Sequence, residues 1–403
     1  MLFCDVTFAY TPTSGGIRTY IDQKRKFLLE QTGHEHLLIV PGEEDHEATE
    51  GRLRTHYVHG LQIPGCEPYR FFHYPPAIRT ILDKTQPDII ELGSFFTAPW
   101  PVFDYCRDAT KVGKHCTVGG YFHTDLAEAY FATPIRDALQ GVLTERSEMF
   151  SHFVEALAGF ISGGVEVGFK QVFQHCDHLL AASEVQAARM REYGVQTVEV
   201  VPLGVDPELF HPRRREETLR TNLNIDPQAV LLLFAGRIDL EKRVDVLVEA
   251  LEQLDTDYHL VLVGEGPLKA ELEAHALCGQ RLHLLPFESD IEAFAQLLAS
   301  ADIYVTAGPS ETFGLSVIEA QASGLPVVGV EAGALVERVN ESIGRLAEAG
   351  NAASFAACVR DVATQRKAMA QRSRAHVIDR GLDWNGTFRR LLEVYGASEP
   401  PAS

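Results

Sequence analysis

VLLLFAGRIDLEKRVDVLVEAL, Val230 to Leu251, contains one complete strand, loop and helix. Val230–Ala235 is an unbroken apolar run, the pattern of a strand covered on both faces in a parallel sheet. The strand ends at Gly236. Arg237 and Lys242 then fall in a loop before an amphipathic helix over Val244–Leu254. Two cations at the carboxyl end of a strand, beside a helix N-terminus, suit a diphosphate: arginine offers a planar fork and lysine a point charge. A pair of solvated surface cations explains the spacing equally well.

The same rhythm extends in both directions. Downstream, strands are expected at Leu260–Val263, Leu282–Leu284, Ile303–Thr306 and Val327–Val330, with a helix at Pro267–Leu277. Upstream, strands are expected at Leu2–Phe8, Leu37–Val40, Ile89–Leu92 and Thr117–Phe122, with Leu179–Ala182 and Val198–Val201 closing that sheet. Helices are expected at Gly16–Gln31 and along the apolar stretch near Glu145–Phe173. Strands alternating with helices imply an α/β chain with parallel sheets covered on both faces. The 403 residues suffice for two such domains. Prolines and Gly204 in PLGVDPELFHP, Pro202–Pro212, mark the joint, and Arg213–Glu217 reads as a solvated charged segment.

Composition excludes several functions. The net charge of −20 argues against sequence-independent binding of nucleic acid. No apolar run reaches the roughly 20 residues that span a bilayer, and MLFCDVTFAY lacks the basic start of a signal peptide. The seven cysteines are scattered with no CxxC pair, so a reducing cytosol is expected and no metal site is implied. Asp255–Thr256–Asp257 looks like a metal-binding DxD but sits where a helix turns into a strand, a common place for aspartate.

A second strand-to-helix passage is GPSETFGLSVIEAQASGLPVV, Gly308–Val328. Gly314 lets the backbone approach a ligand, and the N–H groups of Leu315 and Ser316 would face an anion. Glu311 lies in the loop and Glu319 two turns into the helix. Carboxylates near a phosphate repel it unless they accept hydrogen bonds from hydroxyls, which a nucleotide sugar supplies on its ribose and its hexose. For Glu319 the alternative is a salt-bridged residue on the helix surface. Gly264–Glu265–Gly266–Pro267 is not a dinucleotide fingerprint, because the third glycine is absent.

The GR–x4–K arrangement, the Glu–x7–Glu spacing and ETFGL resemble the family 4 glycosyltransferases. So do SGGIRTY (Ser14–Tyr20), VPLGVDPELFHP, VGEGPLKAEL (Val263–Leu272) and the tail DWNGTFRRLLEVY. FHTDLAEAY (Phe122–Tyr130) is similar to the phosphatidylinositol mannosyltransferase and sulfoquinovosyltransferase branches. The resemblance implies a GT-B fold, two facing Rossmann-like doubly wound domains with a cleft between them. Residues 1–203, with a returning helix at about 383–396, would form the acceptor-side domain, and 204–382 the nucleotide-sugar domain.

It also implies roles. Arg237 and Lys242 would hold the donor diphosphate, Glu319 the ribose and Glu311 the transferred sugar. The amides of Phe313, Gly314, Leu315 and Ser316 would surround phosphate and sugar. Gly236, Gly264, Gly266 and Pro286 would border the nucleotide, although PFESD, Pro286–Asp290, lacks a glycine often found beside the base. Gly15 and Gly16 would approach the phosphate from the other domain, with Arg18 nearby. His123 would lie at the reaction centre, hydrogen-bonding the sugar or orienting the acceptor, with Asp125 a further substrate-binding candidate. The expected activity is retaining transfer of a mannose- or glucose-type hexose to a hydroxyl acceptor, lipid-linked or glycan. It needs no metal and no cofactor beyond the donor substrate. The alternatives are a nucleotide-sugar epimerase and a non-catalytic nucleotide-sugar-binding protein of the same fold.

The expected location is the cytoplasm or the inner face of the membrane. Tyr69, Phe71, Phe72 and Tyr74, with Arg70 and His73, and the apolar Met149–Phe173 admit two readings. One is contact with a membrane or a lipid-linked acceptor; the other is an aromatic core patch and a buried helix.

Overall fold

A computed structural model describes residues 1–11, 15–63, 69–95, 97–122 and 168–398. The chain divides into two units, Met1–Pro202 with Thr387–Ser403, and Leu203–Gly386.

The strands of the first unit are β1 (Leu2–Val6), β2 (Glu35–Gly42), β3 (His46–Glu50), β4 (Leu53–His59), β5 (Leu61–Gln62), β6 (Arg70–Phe71), β7 (Ile89–Leu92), β8 (Thr117–Phe122), β9 (His178–Ala181) and β10 (Glu199–Val200). Eight of them form one sheet in the order β10-β9-β8-β7-β1-β2-β4-β3. All neighbours are parallel except β3 and β4, which are antiparallel. The helices α1 (Gly16–Gln31), α2 (Pro75–Thr85), α3 (Pro99–Lys111) and α4 (Glu184–Glu192) connect them. Proline opens both α2 and α3, where its missing N–H costs nothing.

α1 buries Tyr20, Ile21, Lys24, Phe27 and Leu28, a helical stripe with one cation in it. A buried charge survives only if paired. Lys24 Nζ lies 2.9 Å from Asp5 Oδ1 and 3.0 Å from Glu91 Oε1. His36 Nε2 lies 2.6 Å from Asp5 Oδ2. Tyr20 donates to Glu91 Oε1 and Tyr395 to Glu91 Oε2, each at 2.8 Å. Burial alone would raise the Asp5 carboxyl, but Lys24 and His36 hold it well below the usual carboxylate range.

In the second unit β11 (Val230–Ala235), β12 (Tyr258–Val263), β13 (Leu282–Leu285), β14 (Ile303–Val305), β15 (Val327–Val330) and β16 (Gly344–Ala347) form an all-parallel sheet in the order β13-β12-β11-β14-β15-β16. This is the 3-2-1-4-5-6 order of doubly wound nucleotide-binding sheets. Its direction reverses between β11 and β14, where ligands of such sheets bind. The helices are α5 (Thr218–Asn222), α6 (Val244–Glu252), α7 (Lys269–Glu273), α8 (Ile291–Ser300), α9 (Leu315–Ala322), α10 (Leu335–Arg338) and α11 (Ala352–Asp379). α12 (Trp384–Val394) belongs to the first unit from Thr387 onward.

Several expectations need correction. β1 stops at Val6, and the helix expected at Pro267–Leu277 is the short α7. Arg213–Glu217 is not merely solvated. Arg215 donates to the Ala301 carbonyl at 2.6 Å and pairs with Asp302 at 3.2 Å, fastening the segment to the second unit. Cys106 in α3 and Cys116 before β8 are brought side by side, because the intervening turn reverses the chain and sets their Cα atoms 5.4 Å apart. Phe72, Phe169, Val172 and Phe173 are buried in the core, whereas Phe71 and Tyr74 are exposed. Residues 149–167 lie outside the described residues. Among those described, no helix is long and apolar enough to cross a membrane.

Candidate functional site

The loops after β11 and β14 flank the reversal point of the second sheet, and Gly236, Arg237, Lys242, Glu311, Phe313 and Gly314 lie on them. The first loop leaves β11 alongside the loop after β12. Gly236 N–H donates to Val263 O at 3.1 Å and Ile238 N–H to Glu265 O at 2.9 Å. This contact explains two glycines. A Cβ at Gly264 would lie 2.0 Å from Gly236 O, and one at Gly266 2.2 Å from Ile238 O. Both are required by the approach of chain to chain. The loop then tightens as Asp239 Oδ1 accepts from Lys242 N–H at 3.0 Å, and it enters α6 through Arg243 at φ +50°.

Lys242 Nζ lies 3.0 Å from Glu311 Oε1, on the loop after β14, and 3.6 Å from Glu241 Oε1. Burial alone would lower the lysine's pKa, but Glu311 and Glu241 hold it above the ordinary value. Arg237 is more open, its side chain 65% exposed, and it pairs with Asp239 at 3.3 Å and with Glu241. The structure therefore joins Arg237, Lys242 and Glu311 into one charged cluster and adds Glu241 and Asp239. Sequence reading missed these acids, because an acid beside a base in a loop reads as ordinary surface. Their positions two and four residues after Arg237 were the available signal.

The Glu311 loop is held from behind. Ala334 N–H donates to Glu311 O at 2.7 Å, and Arg338 Nε to Phe313 O at 3.0 Å. The Arg338 guanidinium also lies 4.1 Å from the centroid of the Phe313 ring. Gly314 at φ +81° caps α9, a conformation glycine adopts without strain. Its carbonyl accepts from Val317 and Ile318, leaving the Leu315 and Ser316 amides as the first-turn donors of an eight-residue helix. Tyr304 Oη donates to Ala235 O at 3.2 Å, tying β14 to the end of β11.

Glu319 is not a salt-bridged surface residue. It is 8% exposed, with no ion pair among the described residues, and burial pushes its carboxyl up to about 8. Pro286, after β13, is exposed and followed by Phe287, also exposed. In the first unit Gly15 and Gly16 are exposed at the start of α1, whereas Arg18 is engaged locally with Asp22 at 3.4 Å and the Thr11 carbonyl at 3.3 Å. His123 and Asp125 lie outside the described residues. Asp255 and Asp257 serve a turn: their carbonyls accept from Tyr258 and Val230 N–H. Among the described residues no group of three or more His, Cys, Asp or Glu could hold a metal ion.

Two family profiles match the chain, Glycosyltransferase Family 4 over residues 14–209 and Glycosyl transferases group 1 over 215–378. A GDP-mannose-dependent alpha-(1-6)-phosphatidylinositol dimannoside mannosyltransferase of Mycobacterium tuberculosis is 30% identical over 398 residues, covering 96% of this chain and 94% of its own. The chain belongs to glycosyltransferase family 4.

This family 4 glycosyltransferase is also 28% identical over 333 residues to a GDP-mannose-dependent alpha-mannosyltransferase of Corynebacterium glutamicum, covering 79% of this chain and 70% of that one. Its fold is shared with a sucrose-phosphate synthase of Thermosynechococcus elongatus, at a TM-score of 0.73, 18% identity and 98% coverage of both chains. The two doubly wound sheets are the Rossmann-like domains of a GT-B glycosyltransferase.

Proposed function

We propose that this enzyme transfers mannose from GDP-mannose to a hydroxyl of a mannosylated, lipid-linked acceptor, with retention of anomeric configuration. The supporting observation is the meeting of Arg237, Lys242 and Glu311 at the carboxyl ends of β11 and β14, beside the start of α9. The donor is chosen because both mannosyltransferases above are named for GDP-mannose. The acceptor class follows the phosphatidylinositol dimannoside enzyme, which matches along nearly the whole chain.

In this reading Arg237 and Lys242 bind the diphosphate and stabilise the charge that grows on it as the sugar departs. The amides of Phe313 to Ser316 line phosphate and sugar, and Glu311 accepts from sugar hydroxyls. Glu319 accepts from the ribose, while Gly236, Gly264, Gly266 and Pro286 border the base. The departing phosphate takes the acceptor's proton on the face it leaves, so no side-chain base is required on the opposite face.

A thermal-shift screen of GDP-, UDP- and ADP-sugars tests the donor, since a ligand at about 100 times its Kd stabilises by roughly 2.7 kcal/mol. GDP-mannose is expected to give the largest shift. An NMR spectrum of the first-formed product tests the stereochemistry. An α-linked product is expected; a β-linked one would overturn retention and promote His123 to general base.

A further inference from the structure

Glu241 holds both cations of the cluster at once. One carboxylate oxygen hydrogen-bonds Arg237 Nη2, and the other lies 3.6 Å from Lys242 Nζ. Its side chain is 20% exposed, so the pairing is partly sheltered from water. Two acceptor oxygens bridging an arginine and a lysine are the acceptor set that a phosphate group would present to the same pair. With Asp239 at 3.3 Å from Arg237 and Glu311 at 3.0 Å from Lys242, two cations face three carboxylates. The loop is thus not a bare positive hole: its cations are already paired with carboxylates. An incoming diphosphate meets a net negative cluster and gains its contacts only by displacing a carboxylate. Among the ion pairs described above, Glu311 meets Lys242 alone of the two cations. Glu241 is the carboxylate common to both cations.

We propose that Glu241 is an internal stand-in for the donor diphosphate. It keeps Arg237 and Lys242 together in the free enzyme, yields to the donor, and returns to help expel the nucleoside diphosphate product. The proposal rests on the reading of Arg237 and Lys242 as the diphosphate grip. Apparent affinity scales with the fraction of enzyme whose cations are free of Glu241, so Glu241 sets how tightly substrate and product are held.

The test is calorimetric titration of the full chain with GDP, with UDP and ADP as further probes, in wild type and in Glu241→Gln. Glutamine keeps the size and removes the charge. The expected result is GDP binding about tenfold tighter in Glu241→Gln, with a lower KM for the donor sugar and stronger product inhibition. Glu241→Asp, whose shorter side chain keeps the charge but spans the two cations less well, should fall between. A merely structural role would lower the melting temperature without tightening GDP, and unchanged or weaker GDP binding in Glu241→Gln overturns the proposal. Should Glu241→Gln fail to fold, Glu241→Asp decides by the same measure. The double substitution Arg237→Ala with Lys242→Ala tests the premise separately. Wild-type GDP affinity in that variant would show that the grip lies elsewhere, whatever Glu241 does.

Discussion

Lys242 Nζ and Glu311 Oε1 lie 3.0 Å apart although the residues are 69 positions apart in the chain. The contact joins the loops after β11 and β14 across the reversal point of the sheet, with one member of each sign. On the function proposed above, the donor's diphosphate lies on the lysine side and its sugar on the glutamate side. Replacing Arg237 and Lys242 together with alanine should lower kcat/KM about a hundredfold or more, on the order of 3 kcal/mol, with kcat falling as well as affinity. Steady-state kinetics at saturating acceptor would show it, and unchanged kinetics would remove these residues from the mechanism.

Glu319 gives a pH signature. Burial moves its carboxyl from 4.5 in the unfolded chain to about 8. Between those values the folded protein holds a proton that the unfolded chain releases. The favourable contribution is complete below the lower value and is lost as pH rises through the upper one. From about pH 5 to about pH 9 wild type should lose on the order of 4 kcal/mol relative to Glu319→Gln, whose side chain cannot ionise. Urea titrations of both proteins would measure the gap. Donor affinity should rise with pH over the same range in wild type only, because ribose hydroxyls donate best to the ionised carboxylate.

The opposite sign is expected at the other end of the second sheet. His259 Nδ1 and His283 Nε2 share a hydrogen bond of 3.1 Å between stacked rings. Burial, then the neighbouring His259, depresses His283 from 6.5 to about 4. Its folded form resists protonation, so this contribution is full above 6.5 and is lost as pH falls through 4. The loss should reach about 3 kcal/mol. His283→Gln should flatten the acid limb of the stability curve, read by denaturant melts across that range.

Tyr395 occupies a niche made by a missing side chain: a Cβ at Gly119 would lie 2.0 Å from its hydroxyl oxygen. Gly119→Ala must therefore expel the ring, and the expected cost is about 3 kcal/mol or more. Tyr395→Phe keeps the packing but removes the donor to Glu91, at a cost of about 1–3 kcal/mol. Chemical denaturation of the two variants should rank them in that order.

Much of the fold was legible because apolar runs announce parallel strands. Val230–Ala235 and Gly16–Gln31 are found with the expected bounds. β3 was missed for a physical reason. β3, HEATE, is exposed along its whole length at the edge of the sheet, where no apolar pattern is required. In the site, Arg237, Lys242 and Glu311 could be named because strand ends show in sequence. Glu241 could not, since its contact with two cations depends on how the loop turns. Gly264 and Gly266 were visible as glycines, but the backbone they face, Gly236 and Ile238, belongs to the preceding loop and shows only in three dimensions.

The Tyr395–Glu91 hydrogen bond also has a consequence for synthesis. A ribosome delivers the first unit's sheet early, and N-terminal domains tend to fold as they emerge. Yet the donor to Glu91 Oε2 arrives 304 residues after it, when the second unit has already been made. Until then the nascent first unit carries the vacant slot above Gly119 and a buried carboxylate lacking one of its donors. The unit made first is completed last, and a chain released before Tyr395 ends with its oldest half unfinished.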